Sequence, residues 1–155
     1  MIETYLGLGS NQQDPIRQIQ LAMTSIKRLA HTRFIGYREI IKTPPFGVIR
    51  QAAFYNTIVH IETQLTAIDL LCSLQAMEIR LGRRRYLPWG PRIIDIDILI
   101  HGEHRSKSEK LTLPHPQIWE REFVHQQLLE FNSELIKNIL QMQRPHDRKN
   151  RKNHL

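Results

Sequence analysis

The run Arg92-Ile93-Ile94-Asp95-Ile96-Asp97-Ile98-Leu99-Ile100 reads as a strand. β-Branched residues fill it, and side chains alternate along a strand. Ile94, Ile96 and Ile98 therefore point into a core, while Asp95 and Asp97 share the opposite face. Upstream of it, Thr66-Ala67-Ile68-Asp69 has the form of a helix capping box with Asp in place of Glu. Leu70, Leu71, Leu74, Met77 and Leu81 follow on one helical stripe, and Gly82 supplies the stop. Residues 54–63 form another strand. Thr43-Pro44-Pro45-Phe46-Gly47 is a loop, because two prolines cannot serve a central ladder. Residues 32–42 read as a strand, and residues 15–30 as an amphipathic helix with Asp14 as N-cap and Pro15 in the first turn. Ile2, Thr4, Leu6 and Leu8 lie on one face of the first strand, which stops at Gly9-Ser10-Asn11. Short helices fit residues 116–121, 123–131 and 133–140.

The order is strand, helix, strand, strand, helix, strand. It predicts an α+β, ferredoxin-like βαββαβ core: an antiparallel sheet with helices packed on it, plus short C-terminal helices. Each crossover has a helix of suitable length. Many unrelated activities use this fold, so it names no function.

A chain of 155 residues suits one domain, expected over residues 1–140. Residues 141–155 hold five Lys and Arg against Asp147 alone and are expected to be a basic, disordered tail. No run of 18 apolar residues exists, Met1-Ile2-Glu3-Thr4 lacks a signal-peptide head, and Cys72 is the sole cysteine. These features predict a cytoplasmic protein with no membrane partner. Cys72 reads as a small helix residue rather than a reactive thiol.

The net charge of +7 is concentrated in the tail and in Arg80, Arg83, Arg84, Arg85 and Arg92, with no acid between Ile79 and Asp95. The internal cluster suits an anionic ligand, either nucleic acid or nucleotide phosphates. Two carboxylates roughly 6 Å apart on one strand face repel by about 3 kcal/mol at an effective dielectric near 20. Asp95 and Asp97 therefore call for cations: either Arg83 and Arg92, or divalent metal, with oxygen ligands favouring Mg²⁺ or Mn²⁺. Residues 83–90 would carry cations over phosphates as a lid, or form a solvated basic loop. His115, between Pro114 and Pro116, would donate to a phosphate or cap the following helix. Phe54 and Asn56 suit a flat heterocycle, or a core residue and a turn cap. No P-loop, complete dinucleotide fingerprint or protein-kinase motif is present.

Together, Leu8-Gly9-Ser10-Asn11, Thr43-Pro44-Pro45-Phe46-Gly47, Phe54-Tyr55-Asn56, Glu78-x-x-Leu81-Gly82-Arg83, Trp89-Gly90-Pro91-Arg92-x-Ile94-Asp95-Ile96-Asp97-Ile98-Leu99, Leu113-Pro114-His115-Pro116 and Arg121-x-Phe123 resemble the 6-hydroxymethyl-7,8-dihydropterin pyrophosphokinase family of folate biosynthesis. The resemblance covers residues 1 to about 135. It implies transfer of the terminal diphosphate of ATP, the co-substrate, to the pterin hydroxymethyl group, leaving AMP. It further implies that Asp95 and Asp97 hold two Mg²⁺, with Asp95 helping to deprotonate the attacking hydroxyl. Arg83, Arg85 and Arg92 would act on the phosphates, and Gln75, Glu78, Ile98, Thr112, His115 and Arg121 would line the ATP site. Thr43, Pro44, Pro45, Phe46, Phe54, Asn56, Trp89 and Phe123 would bind the pterin. The expected partners are these two small molecules and no nucleic acid, with the enzyme a monomer. A nucleic-acid module of the same fold is the alternative class, although an aromatic RNP pattern is missing. A pterin- or nucleotide-binding relative without catalysis is a second.

Overall fold

The computed structural model describes residues 1–45, 47, 50–84 and 90–142. Phe46, Arg85, Trp89, most of the expected lid and residues 143–155 of the expected tail lie outside the described residues. The elements run β1 (Ile2–Ser10), α1 (Pro15–Lys27), β2 (Thr32–Tyr37), β3 (Ile41–Thr43), β4 (Phe54–Thr63), α2 (Ala67–Arg80) and β5 (Asp95–His101). A small hairpin, β6 (Ser106–Lys107) and β7 (Thr112–Leu113), then leads to α3 (Gln117–Glu120), α4 (Glu122–Leu129) and α5 (Glu134–Gln141). The main sheet has the order β2-β4-β1-β5, with β3 also paired to β4, and every pair is antiparallel. This is the strand order of a ferredoxin-like core.

The capping expectations hold in detail. Thr66 Oγ1 accepts the Asp69 N–H at 3.1 Å and donates to Asp69 Oδ2 at 2.8 Å, which starts α2. Asp14 Oδ1 accepts from the Arg17 N–H, Pro15 opens α1, and Gly82 follows α2 with φ +99°. Several boundaries differ from the sequence reading. Thr43, expected in the proline loop, closes β3 and pairs with Phe54. The helix expected over 15–30 ends at Lys27, where the Arg28 N–H turns back to the Ser25 carbonyl, yet Leu29 still packs on the core. The strand expected over 32–42 is two strands. Between the pairs Tyr37–Val59 and Ile41–Asn56, four steps along the chain face three of β4, so the ladder breaks over residues 38–40. Residues 92–94 are not part of β5; Arg92 is bonded to Asn11 instead.

The sheet buries both faces. Leu6, Leu8, Val59, Ile61, Ile94, Ile96 and Ile98 join Ile19, Ile26, Leu70, Leu74 and Met77 in a core beneath α1 and α2. Tyr5, Ile58 and Leu99 meet Ile118, Val124, Leu128, Ile136 and Ile139 in a second core beneath α3–α5. The second core covers one end of its sheet face, and the functional cavity occupies the other. Ile139 is fully buried and Ile79 is 71% exposed. Ile139→Ala is expected to lower the unfolding free energy by about 2–5 kcal/mol, and Ile79→Ala by no more than about 0.5 kcal/mol. Urea titrations of both variants check this.

Candidate functional site

Strand alternation builds the floor. Leu6 and Leu8 of β1 face the helices, so Tyr5, Gly7 and Gly9 face the other way. Gly9 lies between Asn56 of β4 and Asp95 of β5, and Gly7 between Ile58 and Asp97. The centre of the sheet is therefore bare backbone flanked by functional side chains. A cavity of about 340 Å³ sits on this floor. Its walls include Phe54, Asn56, Arg92, Asp95, Asp97, His115, Arg121 and Phe123. The glycines were readable in the sequence only as an incomplete nucleotide fingerprint. Their steric role appears once the register is known: a Cβ on Gly9 would stand 2.7 Å from Asn56 Oδ1.

On the phosphate-like side, Asp95 Oδ1 accepts from Arg83 Nη1 at 2.9 Å and Oδ2 from Arg92 Nη1 at 2.6 Å. Arg83 Nη1 also lies 2.6 Å from Glu78 Oε2. Glu78 Oε1 accepts the Ile96 N–H at 2.6 Å, fastening α2 to the outer edge of β5. Glu78 thus stands behind Arg83 and does not line the cavity. Burial pushes its carboxyl up, against the pull of the Ile96 N–H and Arg83. Burial alone would lower the Arg83 guanidinium, but Asp95 and Glu78 hold it up. Among the described residues, the Asp97 side chain accepts a 3.2 Å hydrogen bond from Gln117 Nε2. Burial, then the charges of Asp95 and Glu78, push its carboxyl up to about 7. The two carboxylates are thus handled differently: Arg83 and Arg92 hydrogen-bond Asp95, whereas their charges act on Asp97 from farther off and only partly oppose the rise.

His115 Nδ1 accepts the Gln117 N–H at 3.2 Å, so the capping role is real. Burial lowers its pKa, and a neutral ring that accepts at Nδ1 carries its proton on Nε2. His115 also lines the cavity, so its two expected roles are compatible. The Arg121 guanidinium lies 4.6 Å from the Phe123 ring centroid, and burial lowers its pKa.

On the ring-like side, Asn56 Nδ2 donates to Thr43 Oγ1 at 2.5 Å, which leaves Oδ1 towards the cavity. Both residues are buried. Phe54 and Phe123 line the same space. Pro44 is exposed, Pro45 half-buried, and neither they nor Thr43 line the cavity. Gln75 is exposed on α2 and Thr112 sits in β7, also off the cavity wall. The Ile98 side chain is buried beneath the helices, so only its backbone is available to a ligand. Because the Ile96 N–H points outward to Glu78, the Ile98 backbone two residues on faces the same outer edge. Gln117, Glu120 and Leu99 line the cavity without having been singled out in the sequence. They come from α3 and from the extra residue in β5 where the β1–β5 register shifts.

Fold and site define a ferredoxin-like α+β protein with an acid–arginine centre beside an aromatic slot. A family model described as 7,8-dihydro-6-hydroxymethylpterin-pyrophosphokinase matches residues 5–133. A Haemophilus influenzae 2-amino-4-hydroxy-6-hydroxymethyldihydropteridine pyrophosphokinase is 38% identical over 136 residues, covering 88% of this chain and 85% of the relative. Proteins of the same name from Pseudomonas aeruginosa and Bacillus subtilis are 40% and 36% identical. Those matches cover 77% and 86% of this chain, and 74% and 80% of the respective relatives. The chain belongs to the 7,8-dihydro-6-hydroxymethylpterin-pyrophosphokinase family, whose members use ATP as co-substrate. Among the described residues, no helix is long and apolar enough to cross a membrane.

Two outcomes follow from this geometry. Gly9→Ala is expected to push Asn56 off Thr43 and cost about 1–3 kcal/mol for the disturbed buried bond. Gly7→Ala, whose Cβ would stand 3.5 Å from Leu99, should unfold close to the wild type in the same denaturant series. Asp97 retains its proton in the fold up to about pH 7, whereas the unfolded chain releases it near pH 4. Its stabilising contribution is therefore complete below about pH 4 and lost as pH rises through about 7. Without metal or nucleotide, Asp97→Asn should match the wild type near pH 4 and melt at a higher temperature at pH 8, as calorimetry at both values would show.

Proposed function

We propose that the protein transfers the β,γ-diphosphate of ATP to the hydroxymethyl group of 6-hydroxymethyl-7,8-dihydropterin, releasing AMP, as a step of folate biosynthesis in the cytoplasm. The pterin hydroxyl oxygen bonds to the β-phosphorus, the bond from that phosphorus to the α–β bridging oxygen breaks, and the hydroxyl proton is released. The observation that carries this reading is one cavity lined by Asp95, Asp97 and Arg92 and by a Phe54–Asn56–Phe123 slot, with Arg83 bonded to Asp95 from outside the lining.

Asp95 and Asp97 are the residues that would hold Mg²⁺, two ions in all. Two carboxylates with no third His, Cys, Asp or Glu grouped beside them among the described residues suit a hard ion completed by phosphate oxygens and water. Bound there, it supplies positive charge to the phosphate oxygens. Each guanidinium has five N–H donors, so Arg83 and Arg92 hold Asp95 and still have donors for phosphate. His115 offers Nε2–H as a neutral donor, and Arg121 adds a cation at the cavity wall. Phe54 and Phe123 bracket the flat ring, and Asn56 Oδ1 accepts from its edge. Gln75, Thr112 and the Ile98 backbone, all near the outer edge of β5, serve the nucleotide. Arg85 and Trp89 act on the phosphates and the pterin. The enzyme acts as a monomer.

AMP release from ATP is expected only when the pterin alcohol and Mg²⁺ are both present. Asp95→Ala and Asp97→Ala should each reduce it by about 10³-fold or more while retaining the wild-type circular dichroism spectrum. Pterin-independent AMP formation, or near wild-type turnover by both variants at saturating Mg²⁺, would overturn the assignment.

A further inference from the structure

Asn11, one residue beyond β1, bonds to two separate segments of irregular backbone. Its backbone N–H donates to the Arg92 carbonyl at 3.1 Å, and its Oδ1 accepts the Arg92 N–H at 2.8 Å. Its Nδ2 donates to the Ala52 carbonyl at 3.0 Å and to Gln51 Oε1 at 2.9 Å. The residue is buried and does not line the cavity. The polarity of its partners leaves no choice of side chain. The Arg92 N–H only donates and the Ala52 carbonyl only accepts, so one short group must carry an acceptor and a donor side by side. Asp supplies no donor there, and Ala supplies neither.

We infer that Asn11 is a positioning residue that locks the ring wall of the cavity to its phosphate wall. Ala52 lies two residues before Phe54, and the Arg92 side chain reaches Asp95 at 2.6 Å. Neither 50–53 nor 90–94 has strand or helix bonding of its own to fix it. Without a shared anchor, the two walls would shift independently by small amounts, and misplacement of about 1 Å costs on the order of 10²-fold in rate. The naming of the two walls rests on the proposed function; the hydrogen-bond lock does not.

Two variants separate the arms of the lock. Asn11→Asp retains the acceptor for Arg92 but sets a carboxylate against the Ala52 carbonyl and Gln51 Oε1. Asn11→Ala removes both side-chain arms and leaves only the backbone bond to the Arg92 carbonyl. Amide hydrogen exchange on the free protein should accelerate at residues 51–54 in both variants, and at Arg92 only in Asn11→Ala. In steady-state kinetics, Asn11→Asp should raise KM for the pterin alcohol by about tenfold, with kcat falling by less than about threefold. Asn11→Ala should lower kcat by about 10²-fold as well. Gln51→Ala, which removes one acceptor and leaves Asn11 in place, should reproduce the KM effect in weaker form, and it decides the matter if the Asn11 variants do not fold. Unchanged KM in Gln51→Ala, or exchange that accelerates equally at both segments in both Asn11 variants, would reduce Asn11 to a general stabiliser and overturn the lock. If the wild type itself forms no AMP, the functional reading fails, while the exchange pattern still tests the lock.

Discussion

The register of β1 is the constraint on which the rest depends. With Gly9 opposite Asp95 and Asn56, and Gly7 opposite Asp97 and Ile58, both acids, the amide and the bare backbone share one sheet face. A slip of one residue would send Asp95 and Asp97 under α1 and α2 and expose Ile96 and Ile98. The helix-side core, with Leu6, Leu8 and Ile98 all almost fully buried, holds the register. Hydrophobic burial on one face thus positions polar chemistry on the other.

That placement has an electrostatic cost which the surroundings offset unequally. Asp95 lies between two guanidiniums, and Arg83 is itself held by the buried Glu78. Among the described residues, the side-chain hydrogen bond to Asp97 comes from a neutral donor, Gln117. The fold therefore keeps one carboxylate pre-paired and leaves the other in need of positive charge. A cationic ligand stabilised by Asp97 relieves a cost already present in the folded protein, so part of its binding free energy comes from that relief.

Local signals made much of this legible in the sequence. Capping chemistry at Asp14 and Thr66 marked both helix starts, and alternation at Ile94–Asp95–Ile96–Asp97–Ile98 assigned both faces of β5. The parts that could not be read depend on distant partners. The break at residues 38–40 follows from the register against β4, not from residues 32–42 themselves. The contribution of Gly7 and Gly9 depends on what stands across the sheet, and that of Asn11 on segments forty-one and eighty-one residues away. The resemblance puts Glu78 in the nucleotide pocket; in the fold its side chain braces Arg83 and β5 from behind, a contact visible only once α2 is docked on β5.

The central position of β1 also shapes how the chain acquires its structure. β1 precedes both of its sheet neighbours in the chain, residues 54–63 and 95–101, and no hairpin joins it to either. Glu3 accepts hydrogen bonds from Tyr5 and, far along the chain, from Ser133, so the same strand is also fastened to the start of α5. Until β5 has emerged from the ribosome, β1 has an unpaired edge, and Tyr5 lacks the C-terminal helices that cover it. Loop closures this long slow sheet formation and prolong the exposure of apolar strand surface. The architecture that places the site on the most interior strand thereby makes the nascent chain dependent on late-made segments, and more exposed to aggregation during synthesis than a hairpin-built sheet of the same size.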